Sequence, residues 1–198
     1  MGVSVDDIKK LRELTGVGLT DAKKALVETD GDFDKALEAM RKKGLTKAEK
    51  KGDREAREGL IEGYVHSGRI GVVVEVNCET DFVARLDDFK TLAHEIAMQI
   101  AAMNPKYVSE ADIPAEEMER VRTELMASEA LASKPEEMRE KIVEGQLKKH
   151  FVEQVLMSQA YILDDSKTVK QHIKEAIAKL GENIVVRQFR RIELGVSE

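Results

Sequence analysis

Between Arg69 and Cys78 the apolar residues recur at every second position: Ile70, Val72, Val74 and Val76 alternate with Gly71, Val73, Glu75 and Asn77. A period of two with β-branched residues suits an extended strand and defeats an amphipathic helix, whose apolar face repeats every three to four residues. Leu60 to His66 is a second strand-like run, and Ser67-Gly68 between the two suits a tight hairpin. Ile184 to Leu194 alternates again, with Val185, Arg187, Phe189 and Arg191 opposed to Ile184, Val186, Gln188, Arg190 and Ile192. This last run is expected to join the hairpin in one sheet. A sheet this small needs helices to cover it, so the expected class is α+β, a small antiparallel sheet packed on helices.

The opening of the chain has the other periodicity. Ile8, Leu11 and Leu14 recur at helical spacing behind Ser4 and Asp7, which resemble a capping box. Gly16 and Gly18 break that helix, and Leu19, Ala22, Ala25 and Leu26 form the apolar face of a second. After Asp30-Gly31, Asp32 is placed to cap a third, carrying Phe33, Ala36, Leu37 and Met40, with Gly44 as its expected stop. Residues 1–45 therefore read as a three-helix bundle. Residues 46–58, rich in Lys, Glu, Arg and Ala, read as an exposed helical or flexible linker to a core over residues 59–198. Within that core, Leu92, Ile96, Met98, Ile100 and Met103 mark a helix that Asn104-Pro105 ends. Pro114 and Pro135 stand where helices begin, the second carrying Met138, Ile142, Leu147 and Phe151. Thr168 to Leu180 is a last helix, stopped by Gly181.

Charge and composition narrow the function. The net charge is −6, with Lys and Arg dispersed among Asp and Glu, which disfavours direct binding to a phosphate backbone. No run approaches the roughly 20 apolar residues of a membrane span, and the N-terminus lacks a basic segment followed by an apolar one, so a cytoplasmic chain without membrane attachment is expected. Cys78, the single cysteine, excludes an intramolecular disulfide. It lies in phase with Val74 and Val76 and reads as a buried structural thiol. His66, His94, His150 and His172 are scattered, with no metal-ligand spacing among them. No glycine loop suited to phosphate is present. Neither a catalytic site, a metal nor a cofactor is expected.

The segment Glu75 to Arg85 is the most informative one. A patterned strand ends, and Thr80 or Asp81 can cap the helix that follows. Two readings fit Phe82: a packed anchor under a capped helix, or an exposed aromatic beside the acid Asp81 that projects toward a partner.

That segment resembles one of the two signature stretches of the bacterial elongation factor Ts family, nucleotide-exchange factors for elongation factor Tu. The other is matched by Leu11-Arg12-Glu13-Leu14-Thr15-Gly16-Val17-Gly18-Leu19-Thr20-Asp21-Ala22-Lys23-Lys24-Ala25-Leu26, and Thr168 to Glu193 looks like the family's ending. The resemblance implies an N-terminal domain of the ubiquitin-associated type that docks on the partner GTPase. It implies that Thr80, Asp81, Phe82 and Val83 insert near the nucleotide of GDP-bound elongation factor Tu and dislodge its magnesium ion. Leu19 is a further implied partner contact. The chain departs from the family where Gln159 is followed by Ala160 and Tyr161 instead of Pro and Phe. It also resembles the short members, without the duplicated sheet subdomain and the coiled-coil insertion. A homodimer is therefore expected, sealed by an outer sheet face bearing Val73, Tyr64 and Phe189. Two other classes remain open at this point: a passive binding module built on the helical bundle, and an enzyme using Cys78 or a carboxylate.

Overall fold

The structure, a computed structural model, describes residues 3–128 and 135–196. The chain opens with helices α1 (Val5–Thr15), α2 (Leu19–Glu28) and α3 (Phe33–Glu49). Ser4 caps α1 by accepting from the backbone N–H groups of Asp6 and Asp7, and Asp32 caps α3 through Lys35 N–H. Leu11, Ala22, Ala25, Leu26, Ala36 and Met40 fill the bundle's interior, whereas Leu14 and Leu19 face outward. Burying each large aliphatic side chain contributes about 1.5–3 kcal/mol.

Gly44 does not stop α3. The helix runs on to Glu49 and carries Ala48 into the main core. A Cβ on Gly44 would stand 3.1 Å from the Cβ of Ala178, so the missing side chain serves a close helix crossing. The signal was a glycine at an element end, and the competing use of glycine, close approach, won.

Strands β1 (Glu58–His66) and β2 (Ile70–Cys78) form the expected hairpin, followed by the short helix α4 (Asp81–Ala84) and by α5 (Asp87–Met103). Asn104 ends α5 in the left-handed conformation. Helices α6 (Ala115–Met126) and α7 (Glu136–Val152) pack on one another around a satellite core of Ile113, Val121, Val143, Leu147, Phe151 and Val155. A two-stranded ribbon of β3 (Ala160–Tyr161) and β4 (Asp164–Thr168) leads into α8 (Val169–Leu180), and β5 (Val185–Glu193) closes the chain's main sheet. That sheet is antiparallel in the order β1-β2-β5.

One face of the sheet is buried. Val72, Val74 and Val76 point from β2 onto Phe89, Leu92, Ile96 and Ile100 of α5, with Ile173 and Ile177 of α8 in the same core. Register decides the rest, because directly paired residues share a face. Tyr64 pairs with Val72 and Phe189 with Val74, which puts both on the inner face, partly buried against the core. The expectation that they join Val73 outside is therefore overturned. In β5 the cause is a bulge between Glu75 and Val76, where Arg187 is the extra residue and strict alternation breaks, so Phe189 sides with Val186 and not with Val185. The outer face instead carries Ile61, Val65, Val73 and Ile192, all exposed.

Candidate functional site

The strand-to-helix turn after β2 is built so that neighbouring side chains go opposite ways. Val83 and Ala84 are buried in the main core, as is Phe89 at the start of α5, whereas Phe82 is 77% exposed. The packed-anchor reading fits Phe89 and fails for Phe82. Asp81 is half-exposed beside it and pairs with Arg85 at 2.7 Å, a solvent-facing contact of the kind that contributes little and is readily exchanged. Thr80 is the cap of α4, its hydroxyl oxygen accepting from Val83 N–H at 3.5 Å. Of the four residues singled out by sequence, two thus project and two hold the turn.

What holds that turn comes from far along the chain. The backbone N–H groups of Glu79 and Thr80 both donate to Glu182 Oε2 at 3.0 Å, and the Thr80 hydroxyl donates to Glu182 Oε1 at 2.7 Å. Asn183 N–H donates back to Glu79 Oε1 at 2.7 Å. Beneath them the Cys78 thiol donates to the Thr80 carbonyl at 3.1 Å. Burial, with the Glu182 carboxylate nearby, pushes this thiol up to about 11, so it keeps its proton and acts as a donor. Glu182 was missed at the sequence level. The signal available was a carboxylate just past a glycine-capped helix, a position that says nothing about a partner more than a hundred residues away.

Leu19 is the first residue of α2 and is exposed. The turn preceding it reaches the core: Gly16, in a left-handed conformation, lies so close to α8 that a Cβ would come within 2.5 Å of Lys179 Cα. Arg12, Glu13 and Gly16 share one open hollow with Leu86 and Asp88, just beyond Phe82, and with Lys179, which pairs with Asp88 at 2.8 Å. The first signature stretch therefore borders a surface depression together with residues that directly follow the second.

Three histidines away from this turn are held in local contacts. His172 bonds Glu95 at 2.8 Å and stacks on Tyr161, and this bond lowers the Glu95 carboxyl. His94 bonds Glu62, and His66 bonds Tyr64. Among the described residues no three His, Cys, Asp or Glu side chains converge as a metal site, and no helix is long and apolar enough to cross a membrane. Gln159, which precedes Ala160 and Tyr161, is buried and donates to the Glu153 carbonyl at 2.6 Å, while Gln99 donates to its side-chain oxygen at 3.1 Å.

Comparison with known proteins gives a consistent result. Residues 46–196 match the sequence profile of a family described as Elongation factor TS. The chain is 55% identical over 196 residues to Elongation factor Ts of Thermotoga neapolitana, covering 98% of each. It is 53% identical over 194 residues to Elongation factor Ts of a Thermoanaerobacter species, covering 98% of this chain and 95% of that one. The corresponding protein of Herpetosiphon aurantiacus is 51% identical over 196 residues, at 98% and 99% coverage.

Proposed function

The chain belongs to the elongation factor Ts family of translation elongation factors, and from that premise we propose that it is a guanine-nucleotide exchange factor. It binds elongation factor Tu in the GDP-bound state, dislodges the magnesium ion that the GTPase holds on the phosphates, and speeds GDP release. It performs no covalent chemistry of its own, and its place of action is the cytoplasm. The observation that carries this reading is Phe82, a large aromatic held out in solvent by a turn whose next two residues, Val83 and Ala84, are fixed in the core.

The physical basis is a coupling free energy between two ligands of one GTPase. If the factor weakens GDP binding by some ratio, GDP weakens factor binding by the same ratio. Magnesium carries much of the charge that holds the phosphates, so displacing it removes a large electrostatic contribution. An exposed aromatic suits the wedge because it supplies apolar area with few rotamers to order, and the acid beside it repels the phosphates. Leu19 and the N-terminal bundle dock on the GTPase alongside, and the hollow between Arg12, Glu13 and Gly16 of the bundle and Leu86 and Asp88 just after the wedge supports a single continuous footprint.

A second copy of the chain completes the assembly. Ile61 and Ile192, 71% and 72% exposed, lie with Val65 and Val73 on the uncovered sheet face. A β-branched apolar face of this kind suits a second sheet packed face to face across a two-fold axis.

The test is dissociation of a fluorescent GDP analogue from elongation factor Tu. Adding the chain is expected to accelerate release in a saturable manner, with excess GDP reversing the association. Release at the intrinsic rate at every concentration of the chain contradicts the proposal.

A further inference from the structure

The turn carrying Phe82 has an unusual foundation. Glu79 and Thr80 lie past the last pair of β2 and before the first turn of α4, so neither N–H belongs to a ladder or a helix. Both donate to one carboxylate oxygen of Glu182, and the Thr80 hydroxyl donates to the other. Bonds to an ionised acceptor are stronger than neutral ones. Spending its proton on Glu182 leaves the Thr80 oxygen free to accept from Val83 N–H, which fixes the cap and the direction in which α4 starts. That direction is what turns Phe82 outward while Val83 goes in.

Glu182 is itself anchored. It follows Gly181, the left-handed cap of α8, whose carbonyl accepts from Lys51 Nζ. The next residue, Asn183, donates through Nδ2 to the carbonyls of Gly52 at 3.2 Å and Arg54 at 2.7 Å. The segment leaving the N-terminal bundle and the turn bearing Phe82 therefore meet on the same three residues, 181–183.

We infer that Glu182 is a positioning residue for nucleotide exchange: its carboxylate orients the Thr80–Val83 turn so that Phe82 and Asp81 are presented to the GTPase. This rests on the wedge reading above. Glu182 touches neither nucleotide nor magnesium and acts only through the backbone of Glu79 and Thr80. Its contribution is therefore to exchange through Phe82, and removing both residues removes one effect, not two.

A double-mutant cycle read by stopped-flow release of fluorescent GDP from elongation factor Tu, at saturating factor, tests this. Glu182→Ala is expected to slow release about ten-fold, close to Phe82→Ala, as when a central interface anchor is lost. The double variant is expected to be within about two-fold of Phe82→Ala alone, because residues acting as a unit are not additive. Glu182→Gln is expected to recover part of the rate, since its amide oxygen still accepts from both N–H groups while its NH2 no longer takes the Thr80 proton. Glu182→Asp, one methylene short, carries the same test if Glu182→Ala does not fold, with slowed release expected. Wild-type release from Glu182→Ala or Glu182→Asp, beside a slow Phe82→Ala, overturns the inference and leaves the wedge standing. So does a double variant slowed by the product of the two single effects. Wild-type release from Phe82→Ala removes the wedge, and with it anything for Glu182 to position.

Discussion

Cys78 shows how a reactive-looking residue is turned to structural use. It sits at the end of an alternating strand, fully buried, with its proton directed at the Thr80 carbonyl. The unfolded chain loses this proton near 9.0 and the folded chain near 11, so the folded state holds it across that window. Sign follows from linkage: the stabilisation is complete below pH 9 and declines as pH rises toward 11, where the folded state must ionise as well. Urea denaturation between pH 9 and 11 is therefore expected to show wild type losing stability faster than Cys78→Ser; parallel curves would contradict the protonated thiol. The same variant is expected to retain exchange activity, because serine donates the same hydrogen bond to Thr80 and no nucleophile is needed. Residues of this kind are readable in sequence when strand phase fixes their burial. Glu182 was not, since its role depends on which distant backbone its carboxylate meets.

At the level of elements, glycine and capping residues decide how the bundle joins the core. Gly16 combines a φ of 64° with an approach to the backbone of Lys179 that admits no side chain. Gly16→Ala is expected to cost about 2–3 kcal/mol, from left-handed strain together with overpacking, read as a lower urea midpoint. Helix α8 starts in a reciprocal cap: Thr168 N–H donates to Gln171 Oε1 and Gln171 N–H to Thr168 Oγ1. Thr168→Ala is expected to lower stability by about 1 kcal/mol, visible in the same measurement. Elements with strong periodicity, namely α1, α2, the β1–β2 hairpin, α5, α8 and β5, were legible from residue pattern alone. Three features were not. Gly44 was read as a stop because sequence does not reveal Ala178 across the crossing. The β3–β4 ribbon is too short and polar to leave a pattern. The faces of Tyr64 and Phe189 required the register and its bulge.

At the scale of the whole molecule, two exposed features stand apart, the apolar outer sheet face and the lone aromatic of the α4 turn. The first predicts that size exclusion with light scattering returns twice the 22.2 kDa of one chain, and that Ile61→Lys with Ile192→Lys returns a single chain with an unchanged far-UV spectrum. A wild-type monomer at micromolar concentration sinks the dimer. Leu86 and Asp88, which directly follow the Phe82 turn, line the hollow that joins bundle and core, and under the proposed function this is the side that meets the GTPase. Phe82 was legible as a motif residue, but its exposure was not, since a capped helix with a packed phenylalanine has the same sequence. The most direct measurement is the saturating rate of fluorescent GDP release from elongation factor Tu with wild type and with Phe82→Ala. Release slowed about ten-fold or more is predicted, with thermal unfolding little changed because the removed side chain is largely exposed. Equal rates from two equally folded proteins contradict the account.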